Sequence, residues 1–123
     1  MSPQDLKKTH NQVLSTIVGA RLNSVQFVQE YLILGFDESD ILTTLVWPLV
    51  TASGRTHSYG AVGYRDRLCE LIGRTVKSAR FDDEEAISIF FSSGQDLFIP
   101  LRTYVGKGER ATLMSPNHSP LVF

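Results

Sequence analysis

The sequence predicts an α+β fold built from two pseudo-repeated helix-plus-three-strand units, and three observations carry that expectation. Apolar residues recur at helical spacing before Gly19 and at alternating spacing after it. The same order of helix, glycine stop and strands begins again at Arg65. An offset of 54 residues brings the two runs into register, superposing Gly19 on Gly73 and Phe27 on Phe81.

The first helix is expected over about residues 3–18. Ser2 can cap free N–H groups, Pro3 suits the first helical position, and Asp5 faces the positive end of the helix dipole. Leu6, His10, Val13, Leu14 and Ile17 fall on one face. Gly19 is suited to the left-handed stop that ends many helices.

Beyond Gly19 a first strand runs from Leu22 to Phe27 and a second from Tyr31 to Phe36. Asp37 to Asp40 reads as a polar turn, and Ile41 to Val50 as a third strand closed by Trp47-Pro48. The second unit opens with a short helix over 65–72, stopped by Gly73. Its strands follow at 75–81, 86–91 and 96–103, with a turn at Ser92–Gln95. One inserted residue in the 82–85 hairpin moves the offset to 55, so that Leu34 meets Ile89 and Phe36 meets Phe91.

A three-stranded meander with one apolar face cannot bury that face alone. The two units are therefore expected to cover each other, as a curved antiparallel sheet, a half-barrel or two packed small sheets. The whole chain, 1–123, is expected to be a single domain, with internal repeats at about 4–50 and 64–103 and a C-terminal tail at 104–123.

Composition narrows the function classes. The 123 residues are 42% hydrophobic and 20% charged, an ordinary globular balance. Twelve basic against thirteen acidic residues give a net charge of −1, which argues against nucleic acid as a partner, since binding it requires many phosphates to be neutralised. A DNA-binding face would need Lys7, Lys8, Arg21, Arg74, Lys77 and Arg80 to lie together. The first twenty residues hold no apolar stretch of signal-peptide length and no window reaches a membrane span, so no membrane association is expected. With Cys69 the sole cysteine, a reducing, cytoplasmic location is expected.

No metal or cofactor is expected. His10, His57 and His118 lie far apart, and none has a second ligand at metal-site spacing. His10 reads as a core-edge residue and Cys69 as a small buried one. The acidic run Asp82–Glu85 reads as a solvated hairpin tip, and no catalytic constellation stands out.

Two segments lack a counterpart under the offset. The connection Thr51–Tyr64, with three glycines and two tyrosines, is the most loop-like part of the chain. There Arg55, His57, Tyr59, Tyr64 and Arg65 are candidate ligand-binding residues, the arginines offering forked donors to a carboxylate or phosphate. The tail ends on Leu121-Val122-Phe123, which is expected to dock on the domain, after an irregular stretch at 115–120.

These readings favour a binding or interaction domain that is homo-oligomeric, expected as a homodimer through exposed sheet edges, or that engages a protein partner. The alternative is a small ligand-binding protein or enzyme with a polar site in the 51–65 loop. In general architecture alone, such a small duplicated β-rich domain resembles uncharacterised bacterial proteins and immunity-type binding proteins; no motif names a family, and no residue role follows from the resemblance.

Overall fold

A computed structural model describes residues 3–82, 85–106 and 108–123. Helix α1 (Pro3–Leu14) leads into a turn of 3-10 helix at Ser15–Ile17. A meander of β1 (Leu22–Val28), β2 (Tyr31–Phe36) and β3 (Ile41–Thr44) follows, then the hairpin β4 (Leu49–Ala52) and β5 (Arg55–His57). Helix α2 (Tyr64–Cys69) opens the second half. It is followed by the meander β6 (Val76–Phe81), β7 (Ala86–Phe91) and β8 (Asp96–Pro100), and by the hairpin β9 (Ala111–Ser115) and β10 (His118–Val122). The fold is α+β, with two antiparallel five-stranded sheets and α1 as its main helix. Ser2, Asp83, Glu84 and Lys107 lie outside the described residues, so the expected Ser2 cap and the centre of the acidic run do too. Among the described residues no helix is long and apolar enough to cross a membrane.

The sheets are ordered β1-β2-β3-β9-β10 and β5-β4-β8-β7-β6. Each meander thus receives its fourth and fifth strands from a hairpin that the other half of the chain supplies. This corrects the expectation of one strand over 41–50. The chain alternates buried and half-exposed residues without interruption from Leu42 to Ala52, which is why the sequence reads as one strand. The break is made by Thr44 and Pro48. The buried Thr44 hydroxyl accepts from the Val46 N–H (3.1 Å) and donates to the Val46 carbonyl (2.8 Å), turning the chain out of the first ladder. Pro48 has no N–H to continue it. Leu49 then enters the second sheet opposite Phe98.

The two meanders share details of register. In the first ladder Leu22 faces Phe36 and Ser24 faces Gly35, leaving Asn23 as a one-residue bulge. In the second, Val76 faces Phe91 and Ser78 faces Phe90, leaving Lys77 as the bulge. The Phe36 N–H donates to the Asp40 carbonyl at 2.8 Å, and the Phe91 N–H to the Gln95 carbonyl at 2.9 Å.

The sheets are stitched together where their first strands begin. The Gly19 N–H donates to the Val76 carbonyl (2.8 Å), and the Gly73 N–H to the Leu22 carbonyl (2.7 Å). In the same place the Val76 N–H donates to the Ala20 carbonyl (2.8 Å) and the Leu22 N–H to the Arg74 carbonyl (3.0 Å), with Arg21 bridged antiparallel to Thr75. Both glycines sit at a φ of +89°, a region L-residues avoid, and so turn the chain from helix into this junction. One hydrophobic cluster fills the interior. It contains Leu32, Leu34 and Phe36 of β2 and Ile87, Ile89 and Phe91 of β7, together with Leu14, Ile17, Leu68 and Leu71.

The tail is more ordered than expected. In the stretch 115–120 only Pro116 and Asn117 form a turn, Ser115 ending β9 and His118 beginning β10, and Leu121 and Phe123 are buried against the core. Cys69, expected inside, is exposed on α2, since the helix turns Leu68 rather than Cys69 inward.

Gly19→Ala and Gly73→Ala should each cost about 1–3 kcal/mol, the cost of holding a side-chain-bearing residue at that φ. A methyl group at either position would meet no atom within 4 Å, so the loss reports backbone conformation rather than a clash. Urea unfolding of the two variants measures it.

Candidate functional site

The β5–α2 connection gathers three of the five predicted site residues. Tyr59 stacks on Trp47 with ring centroids 4.4 Å apart, Phe27 stacks on Trp47 at 6.4 Å, and Tyr64 meets Tyr59 edge-on at 6.0 Å. The Arg65 guanidinium lies 5.3 Å from the centroid of the Phe27 ring. Tyr59 is 52% exposed and Tyr64 only 3%. Tyr59 and Arg65 form the wall between two adjoining clefts. One, about 320 Å³, continues over Gly60, Ala61 and Gly63; the other, about 180 Å³, runs over Phe27, Val28, Gln29 and Trp47.

The five side chains come from four parts of the chain. Phe27 comes from the edge strand β1, Trp47 from the crossing between sheets, Tyr59 from the loop after β5, and Tyr64 and Arg65 from the first turn of α2. Tyr64 is the anchor of the group. Its hydroxyl donates a short hydrogen bond to the Pro48 carbonyl, which fixes α2 to the crossing that carries Trp47. Burial pushes the Tyr64 phenol well above its usual value, with the neighbouring Tyr59 adding to the effect. Tyr64 is therefore a neutral donor committed to the fold rather than to a ligand.

Arg55 and His57 are not among the residues that line these clefts. Both lie on β5, Arg55 exposed beside the Ser53–Gly54 turn and His57 opposite Val50. Phe27 and Trp47 are the contributors that the sequence-based reading left out. The available signal was that Trp47 is the single tryptophan of the chain and precedes a proline.

A second aromatic group sits between α1, β6 and the end of the chain. The His10 ring meets Phe81 edge-on at 4.8 Å and Phe123 at 4.6 Å, with Phe81 and Phe123 5.4 Å apart. His10 Nε2 lies 3.1 Å from the Val122 carbonyl and so donates to it. The surrounding cleft, about 240 Å³, is bounded by the Arg110–Glu85 ion pair at 3.0 Å, by Leu6 and by Lys7. Asn11 closes the adjacent strand edge, since its Nδ2 donates to the Phe81 carbonyl and its Oδ1 accepts the Phe81 N–H, both at 2.8 Å.

No group of three or more His, Cys, Asp or Glu side chains that could hold a metal occurs among the described residues. Chemically, the first group offers aromatic faces and a guanidinium with no ion-pair partner among the described residues.

Two measurements check this account. Tyr64→Phe should cost about 1 kcal/mol or somewhat more, because the Pro48 carbonyl loses its donor; urea unfolding reads the difference. The second concerns His10, whose pKa is lowered from 6.5 mainly by burial, against the opposing Val122 hydrogen bond and with a small contribution from Arg110. The fold therefore favours the neutral ring. That contribution is present above about pH 6.5 and is lost as acid protonates the unfolded chain first. Stability should fall between pH 7.5 and 5.5 more steeply in the wild type than in His10→Gln, and equal slopes would refute the assignment. Comparisons with protein-family models, curated proteins and solved structures give no match for this chain.

Proposed function

We propose that this chain is a protein-binding module on an internally duplicated scaffold, and that the groove between Phe27, Trp47, Tyr59 and Arg65 receives a side chain of its partner. The observation that carries the reading is a contrast between two corresponding places. His10 and Tyr64 are 54 residues apart, as are Phe27 and Phe81. Tyr59 and Phe123 each follow the last strand of an exchanged hairpin. The shared bulges, the reciprocal junction and the paired hairpins support a duplication that covers more of the chain than residues 4–50 and 64–103, because the 49–57 and 111–122 hairpins occupy matching positions in the two sheets.

Under this reading the two aromatic groups started alike and diverged. One is tied off: Phe123 and His10 fill it, Asn11 closes its strand edge, and Arg110 is spent on Glu85. The other keeps a half-exposed tyrosine stacked on a tryptophan, beside a guanidinium without an ion pair. Aromatic side chains and arginine are the residues that concentrate binding energy at protein interfaces. The groove is open and its one buried hydroxyl, Tyr64, is occupied, which favours a macromolecular partner over an enclosed small molecule.

Trp47 is the only tryptophan, so its emission reports directly on the groove. Peptides selected from a random displayed library against the full chain should shift that emission on binding. Tyr59→Ala should weaken them by roughly tenfold or more. Because Tyr59 is half exposed, the variant should keep the wild-type fold by circular dichroism. Selected peptides that bind Tyr59→Ala as tightly as wild type would overturn the reading.

A further inference from the structure

We infer that the outer edge of β1, at Val25 and Phe27, is a docking edge where an extended segment of a partner protein adds as a further strand and offers a carboxylate to Arg65. This rests on the protein-binding reading above and names the manner of binding.

The ladder geometry sets which groups are free. Val28 and Tyr31 close a two-residue hairpin and so exchange hydrogen bonds with each other. Alternation then makes Phe27 opposite Leu32, and Val25 opposite Leu34, non-bonded pairs whose N–H and C=O groups point away from β2. β1 is the terminal strand of its sheet, and no hydrogen bond fills those outward positions among the described residues.

The matching edge of the other sheet is handled differently. On β6 the outward residues are Ala79 and Phe81, and Asn11 supplies Phe81 with both a donor and an acceptor, as a neighbouring strand would. β6 also carries Lys77 and Arg80, charges of the kind that discourage strand addition. At the corresponding positions β1 has Asn23 and Gln26, and the place of Asn11 is taken by Arg65. β1 has no charged residue and no proline along its seven positions. One edge is thus blocked twice, and the other is left as a template for pairing.

Charge selects the occupant. Arg65 has no ion-pair partner among the described residues and lies over Phe27, so a strand added there places its own side chains beside a guanidinium. A carboxylate on that strand gains a partner. A second copy of the chain, paired antiparallel about Gln26, would instead bring two Arg65 side chains to one face of the joined sheet. A partner segment bearing Asp or Glu is therefore favoured over self-pairing.

The test uses the same displayed random-peptide library on the full-length chain. Enriched peptides should lack proline and carry an Asp or Glu at a fixed position. Val25→Pro removes an outward N–H without removing a ladder hydrogen bond, and Gln26→Lys installs the charge found at Arg80; each should weaken the selected peptides by roughly tenfold or more. Arg65→Glu should reverse the acidic preference, and Arg65→Asn, copying Asn11, should block binding. Gln26→Lys alters an exposed side chain alone, so it reads the edge even if Val25→Pro fails to fold. Peptides that lose affinity in Tyr59→Ala but not in Gln26→Lys would leave the groove reading standing and overturn this one. Loss in neither variant overturns both. A concentration-dependent dimer of the wild type that Gln26→Lys dissolves, seen by light scattering, would assign the edge to a second copy and also overturn the inference.

Discussion

Everything in this fold hangs on the short stretch where Gly19–Leu22 and Gly73–Val76 exchange backbone hydrogen bonds. Four bonds of 2.7–3.0 Å run both ways across it, around the Arg21–Thr75 bridge. A helix turn ends on each side, and a strand begins on each side. The left-handed glycines allow the chain to leave its helix and enter this pairing within two residues. Because the exchange is reciprocal, it fixes the position of one sheet against the other. The placement of α1 on β6, of α2 near β1, and of one shared core follows from it.

The hairpin exchange is the second consequence. The meander β1-β2-β3 ends on an open β3 edge, and the chain closes it with β9, some seventy residues later. The meander β6-β7-β8 ends on β8, which β4 closes from the other direction. Neither sheet can be completed by the half of the chain that starts it. Unpaired β3 and β8 would each present bare N–H and C=O groups, so the exchange removes two interior edges at the cost of long-range contacts that must form late. What remains exposed is the outer edges, and these the chain treats unequally.

Much of this architecture was legible in residues that act locally. The helix-stopping glycines, the alternation of Tyr31–Phe36 and of Ala86–Phe91, and the turn at Ser92–Gln95 specify their conformation within a few positions. What stayed hidden depends on partners distant in sequence. Residues 41–52 alternate throughout, and only the capture of Val46 by Thr44 divides them between sheets. Residues 51–64 read as a glycine-rich loop because β5 is short and polar, yet β4 pairs with β5. Of the candidate site, Tyr59, Tyr64 and Arg65 were found because they share one connection. Phe27 and Trp47 reach the same groove from other elements, and Arg55 and His57 were carried in by proximity in sequence alone. The role of Asn11 was unreadable, since an asparagine mid-helix gives no sign that it faces a strand edge.

The unequal edges give the two halves different physical meanings. A free edge is a hazard: it invites aggregation, and a chain gains by blunting it. Blunting it here takes little, because an asparagine at one helical position and two charges on one strand suffice on β6. The same device would be open to β1 from residue 65, which follows Asn11 by 54 residues and lies beside Phe27. Arg65 cannot imitate the donor-acceptor pair of an asparagine, as it only donates. It leaves the Phe27 carbonyl and N–H open while adding a positive charge beside them. Tyr64 ties the first turn of α2 to the Pro48 carbonyl, next to Trp47, so the exposed edge, the cation over Phe27 and the tryptophan sit in one connected group of residues. Groups placed before a partner arrives lower the ordering cost of association. An edge left bare by neglect has no need of such support, whereas an edge that receives a strand does.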